Sequence, residues 1–220
     1  MSDAEELISA VKAGDANRVG ELLKKDRSLV RATDSDGASA VLKAVYYRRK
    51  EVLDLLLGSG VELDIFEASA VGDLERVKEL ISKDSNLVNA FAPDGFYPLG
   101  LAVFFGKKTV AAVLIAAGAD VNAVAKNEMR VAPLHAAAAA HQLELATMLV
   151  ERGADVNARQ ESDFTPLQEA AATGQVEMIK LFLSHGADVA ARNQQGKTAL
   201  DYAIESGHKE AEEILKARKF

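Results

Sequence analysis

The chain has no cysteine and no tryptophan, and only four of its 220 residues are proline. Without cysteine, neither a disulfide framework nor a thiolate nucleophile can form. Aromatic residues are scarce at 5% while apolar residues reach 49%, so the core must be built from alanine, leucine and valine. Such side chains are small enough for closely stacked helices. Long uninterrupted hydrophobic runs are missing too. The most apolar windows, 99–117 and 131–150, are broken by Lys107 and Lys108 and by His135, His141 and Glu144, so neither reads as a membrane span. Positive charge is in deficit, with a formal net charge of −7. That balance argues against a phosphate-backbone binder, the local exceptions being Arg48-Arg49-Lys50 and Lys107-Lys108. The opening Met1-Ser2-Asp3-Ala4-Glu5-Glu6 lacks the cationic start and apolar stretch of a secretory signal. The expectation is a soluble, cytoplasmic protein with no nucleic-acid or membrane partner.

What the chain has in abundance is repetition. VYYRRKEV at 45–52 recurs as VFFGKKTV at 103–110, 58 residues later, and the same offset carries Gly14-Asp15 onto Gly72-Asp73 and Asp36-Gly37 onto Asp94-Gly95. Further on the period tightens to about 33 residues, with GADVNA at Gly118 and Gly153 and GADVAA at Gly186. A fixed period of this size signals a stacked solenoid of short units and one continuous domain over 1–220. In the best-formed unit, Thr165 is placed as an N-cap with Pro166 at the first helical position. One short helix runs to about Thr173, and a second starts near Val176, carries Ile179, Phe182 and Leu183 at helical spacing and ends by Gly186.

These residues resemble the ankyrin repeat, whose units open on Gly-x-Thr-Pro-Leu-His-x-Ala and close on Gly-Ala-Asp-Val-Asn-Ala. The opening motif survives as APLHAA at Ala132, TPLQEA at Thr165, TALDYA at Thr198, YPLGLA at Tyr97 and SAVLKA at Ser39. The resemblance implies an all-α solenoid of helix-turn-helix units with short β-hairpin fingers. Seven units are expected, at 3–33, 34–64, 65–90, 91–123, 124–158, 159–191 and 192–220. Units one and three lack the full opening motif, and their helices are expected to start almost directly at Asp3 and Ile65, with Asp64 and Glu67 forming a capping box. Unit three should therefore have a shortened finger and leave a notch in the row. The charged last helix, with Glu210, Glu212, Glu213, Lys216 and Arg218, suits a terminal cap.

Motifs that would carry chemistry fail on context. Gly196-Lys197-Thr198 ends like a phosphate loop, but Ala191 stands where its first glycine is needed. Gly58-Ser59-Gly60 lacks the third glycine of a dinucleotide fingerprint. The histidines at 135, 141, 185 and 208 are not spaced as metal ligands, and family resemblance gives His135 a structural hydrogen bond. The aspartates at 36, 94, 120, 155, 163 and 188 recur at turn positions, where their side chains satisfy local N–H groups. No catalytic residue, metal ligand or cofactor is expected.

The resemblance implies a non-catalytic adaptor, scaffold or inhibitor that binds a protein or peptide on its concave side, through hairpin tips and the exposed face of each first helix. On that face fall Tyr46, Tyr47, Phe104 and Phe105, and the hairpin positions add Phe96, Met129, Arg130 and Phe164. These are residue types enriched in interface cores. Arg48, Arg49, Lys107 and Lys108 would rim them, so an acidic, apolar-studded partner is the match. With two repeats between them, the Tyr and Phe pairs should lie roughly 20 Å apart, bridged by the partner across the notch. The competing reading turns one aromatic of each pair into the stack and leaves the basic residues as solvated caps at helix C-termini. The protein is expected to be monomeric, the alternative being a structural or self-associating module that uses the same aromatics.

Overall fold

A computed structural model describes residues 2–218. It contains fourteen α-helices among the described residues, α1 to α14 in chain order. The odd-numbered helices are α1 (Asp3–Ala13), α3 (Ala40–Tyr46), α5 (Ile65–Val71), α7 (Pro98–Phe104), α9 (Pro133–Ala139), α11 (Pro166–Ala172) and α13 (Ala199–Glu205). Each packs on the next to form one inner row. The even-numbered helices are α2 (Ala16–Lys25), α4 (Lys50–Gly58), α6 (Leu74–Lys83), α8 (Lys108–Ala116), α10 (Leu143–Glu151), α12 (Val176–Ser184) and α14 (Lys209–Ala217). Each of these packs on the inner helix just before it, giving seven helix pairs. The link within each pair is too short for anything but antiparallel neighbours.

The composition explains the spacing. Inner helices meet through Ala44, Ala68, Ala102, Ala137, Ala170 and Ala203, all buried, while the outer row supplies bulk through Leu22, Leu56, Leu114, Leu149, Phe182 and Leu215. Helix starts follow the sequence. Pro98, Pro133 and Pro166 occupy first positions, and capping boxes pair Ser2 with Glu5, Asp64 with Glu67, Thr165 with Gln168 and Thr198 with Asp201. Helix α5 does begin directly at its cap, without a finger. The closing motifs form a ladder along the row: the side-chain amides of Asn89, Asn122 and Asn157 each donate to a glycine carbonyl and accept from an aspartate N–H in the following unit.

The fingers differ from the expected β-hairpins. Among the described residues there is no strand, only an isolated antiparallel bridge between Thr33 and Ser39. Each finger is a tight turn closed across its base by a backbone bond, such as Ala92 N–H to the Phe96 carbonyl at 2.8 Å or Asn193 N–H to the Lys197 carbonyl at 3.1 Å, with a further bond inside the turn, as from Gly95 N–H to the Ala92 carbonyl or Gly196 N–H to the Asn193 carbonyl. Side-chain carbonyls do the remaining work of satisfying the turn. Asn193 Oδ1 accepts from the Gln195 and Lys197 amides, so little is left for a ladder to add.

One inter-unit hydrogen bond is made in three different ways. His135 Nε2 lies 2.9 Å from the Phe164 carbonyl of the next unit, and Gln168 Nε2 donates to the equivalent Lys197 carbonyl at 2.9 Å. In the preceding unit that helix position is Gly100, and the bond comes from Tyr97, whose hydroxyl donates to the Val131 carbonyl at 3.2 Å. The glycine is required because a Cβ at 100 would stand 2.8 Å from Tyr97 Cζ. We expect Gly100→Ala to destabilise the protein by about 1–3 kcal/mol through overpacking. Adding back the usual pair, Tyr97→Thr with Gly100→His, should recover most of the loss in chemical denaturation. A Gly100→Ala variant as stable as wild type would show that the ring is not held against the helix.

Candidate partner-binding groove

The missing finger of α5 leaves a gap on the inner-helix face, and the chain fills it with its own aromatics. Helix α5 contributes Ala70 and the ring of Phe66 there. Leu42, Ala70 and Leu101 form a buried cluster separate from the main core, and Tyr46, Phe66, Phe96 and Phe105 pack over it. Tyr46 stacks on Phe105 with ring centroids 5.7 Å apart and tilts against Phe96 at 6.2 Å. Its hydroxyl donates to Asp94 Oδ2 at 3.0 Å. Burial first, then the Asp94 charge, pushes the phenol above its ordinary range, so it stays a proton donor. The separation of roughly 20 Å expected between the Tyr and Phe pairs is therefore wrong. Spacing along the helix row does not govern side chains that reach over a unit with no finger.

Around this cluster lies a groove of about 940 Å³. Tyr46, Phe96, Phe104, Phe105, Met129 and Ala139 supply apolar wall, and Asp36, Lys43, Asp94, Lys126 and Glu128 supply charge at its edge. Phe104 and Met129 stand 42% and 46% exposed. They are the groove's large apolar side chains most open to solvent. Tyr47 is 48% exposed but does not line the groove. In each aromatic pair one ring is thus half-buried and stacked, Tyr46 or Phe105, while Tyr47 or Phe104 faces outward.

The predicted basic rim is largely engaged within the chain. Arg49 Nε donates to the Lys12 carbonyl at 2.9 Å, and Lys108 pairs with Glu144 at 2.6 Å. The Lys107 stem passes so close to Gly72 that a Cβ there would meet its Cδ at 2.8 Å. Gln175 and His208 hold the same place before their outer helices and bond the carbonyls of Ala138 and Ala172 in the preceding inner helix. Arg49 thus belongs to a structural clasp that sequence reasoning took for a binding rim. Arg48 and Arg130 are exposed, in left-handed turn conformations. At the groove's edge Lys43 is held by Asp34 at 2.6 Å, and Lys126 lies 4.0 Å over the Phe91 ring.

Phe164 sits apart from the aromatic cluster, edge-on to Tyr202 at 5.1 Å. It lines a smaller hollow that also contains Glu169, a residue the sequence did not single out. Burial raises the Glu169 carboxyl above its ordinary range, opposed by the nearby His141. Among the described residues no group of three or more His, Cys, Asp or Glu is arranged to hold a metal ion, and no helix is long and apolar enough to cross a membrane.

Comparison with known proteins agrees with this architecture. The rat ankyrin repeat and SAM domain-containing protein 6 is 32% identical over 102 residues, covering 46% of this chain and 11% of that protein. Human neurogenic locus notch homolog protein 2 is 28% identical over 163 residues, covering 70% of this chain and 6% of its own length. The matches thus span a small fraction of these relatives. A family profile described as ankyrin repeats, in three copies, matches residues 65–160 and 158–219. With more than half of its length matched and inner and outer helices stacked in register, the chain belongs to the ankyrin-repeat family.

Proposed function

We propose that the protein is a non-catalytic adaptor, scaffold or inhibitor that acts in the cytoplasm as a monomer and docks a partner protein in the groove of its concave, inner-helix face. Ankyrin repeats are in general protein-interaction modules. The observation that carries the finer reading is the groove itself, with Phe104 and Met129 exposed at its wall beside a pre-packed aromatic floor. A stacked scaffold holds such side chains in place before binding, so little entropy is lost when a partner arrives. The partner segment brings apolar side chains to Phe104 and Met129. Acidic residues flanking that segment find Arg48 and Arg130, which have no ion-pair partner among the described residues.

Affinity capture from lysate of the cells that make the protein, with quantitative mass spectrometry, tests this. A protein held by wild type should be lost by a folded Phe104→Ala, Met129→Ala variant, since central apolar anchors dominate binding energy. Equal capture by both would place the interface elsewhere. The alternative, self-association through the same face, predicts that only the protein itself is captured and that its size in sedimentation rises with concentration in wild type alone.

A further inference from the structure

The smaller hollow, about 350 Å³, adjoins the groove and shares Met129, Val131 and Gln160 with it. The residues that line it include Phe164, Tyr202, Glu161 and Glu169. Glu169 is the fourth residue of its helix. The fourth residues of the other short inner helices are Lys43, Ala68, Leu101, Ala136 and Tyr202, four of them uncharged and Lys43 paired with Asp34 at 2.6 Å. Glu169 is half-buried, yet among the described residues no group on the chain donates a hydrogen bond to its carboxylate or pairs with it. Among the described residues the basic side chain whose charge acts on Glu169 is His141, which makes no ion pair or hydrogen bond with it. The cations Arg159 and Lys197, of the same and the next unit, are committed elsewhere. Lys197, which lies 5.4 Å over the Tyr202 ring, pairs with Glu205 at 2.7 Å, and Arg159 bonds the carbonyls of Asp163 and Arg192.

A partly desolvated carboxylate without a donor is costly to keep, and a cation supplied from outside would satisfy it. Building on the docking reading above, we infer that this hollow receives an arginine side chain of the partner segment whose apolar residues occupy the adjoining groove. Arginine fits better than lysine. Its planar fork can meet both carboxylate oxygens while its flat face lies on an aromatic ring, and Glu161 adds a second negative charge at the wall.

The test is a random dodecapeptide display library selected in parallel, at low salt, on the full wild-type chain and on Glu169→Gln. Wild type should enrich peptides with an apolar cluster and an arginine at a fixed distance from it. The Glu169→Gln protein should keep the apolar preference and lose the arginine. A selected peptide should weaken roughly tenfold to a hundredfold on Glu169→Gln. Replacing its arginine by citrulline should weaken it as much on wild type, a measurement that needs no protein variant, and the two changes together should cost no more than either alone. Apolar enrichment without arginine, or arginine enrichment that survives Glu169→Gln, would overturn the inference and leave groove docking standing. No enrichment on either protein would overturn the docking reading and this inference with it.

Discussion

Acidifying the wild-type protein from pH 7 to pH 4 is expected to cost about 3 kcal/mol of stability through His135, and Glu at position 67 or 169 should offset part of that loss. His135 is buried, with Nε2 on the Phe164 carbonyl, and burial lowers its pKa to about 4 even though the Phe164 and Ala158 carbonyls act the other way. In the unfolded chain a histidine titrates near 6.5. Between these values the unfolded state binds a proton that the native state refuses, so native stability is complete above about pH 6.5 and drains away as pH falls toward 4. The difference in pKa corresponds to about 3 kcal/mol at 1.36 kcal/mol per decade. Glu67 and Glu169 have the opposite sign, because burial raises both carboxyls and the native state takes up their protons first. A His135→Gln variant isolates the histidine. Glutamine already holds this place in the next unit, where Gln168 is buried, caps Thr165 and bonds the Ala191 and Lys197 carbonyls. The variant should match wild type near pH 7 and become the more stable protein by about 3 kcal/mol near pH 4, as read from urea midpoints across the range. Parallel pH profiles for the two proteins would show that His135 is not held neutral.

Much of this arrangement was legible because each unit obeys local rules that leave a trace in sequence. Pro98, Pro133 and Pro166 at helix starts, the Asp64 and Glu67 box, and the GADVNA turns state the helix boundaries through capping and turn chemistry. The aspartates of those turns do accept from nearby amides, as Asp120 does from Asn122 and Asp155 from Asn157. The site was less legible, since periodicity assigns a side chain to a row but not its reach or its partner. Arg49 occupies a row that looks exposed by register, yet it reaches back to the Lys12 carbonyl. Glu169 could have been noticed as the unpaired charge in a row of alanine, leucine, tyrosine and a paired lysine. The Tyr97 and Gly100 exchange also had a signal: a bulky aromatic at the cap position with the one residue lacking a Cβ three places later.

Tyr46→Ala should be the substitution that changes the behaviour of the solenoid most. In a stacked repeat protein each unit touches its immediate neighbours, and stability propagates along the row one interface at a time. Tyr46 breaks that rule by reaching over α5 to Phe96, Phe105 and Asp94 of the unit beyond. Truncating it removes a half-buried aromatic and leaves the gap above Ala70 open, at a cost of about 3 kcal/mol. Tyr46→Phe keeps the stack and loses only the bond to Asp94, worth about 1 kcal/mol. The distribution of the loss is the sharper test. With the Tyr46 contact gone, α1 to α4 are tied to the remaining units mainly through α5 and through the close approach of the Gly37 turn to Pro93, so their amides should exchange faster in hydrogen exchange mass spectrometry while α9 to α14 keep wild-type protection. Loss of protection spread evenly over all fourteen helices would mean that the array unfolds as one unit and that Tyr46 contributes only area. If the loss is confined to the amino-terminal helices, the aromatic cluster is the element that compensates for the absent finger, and the floor of the groove is also the joint that holds its two walls together.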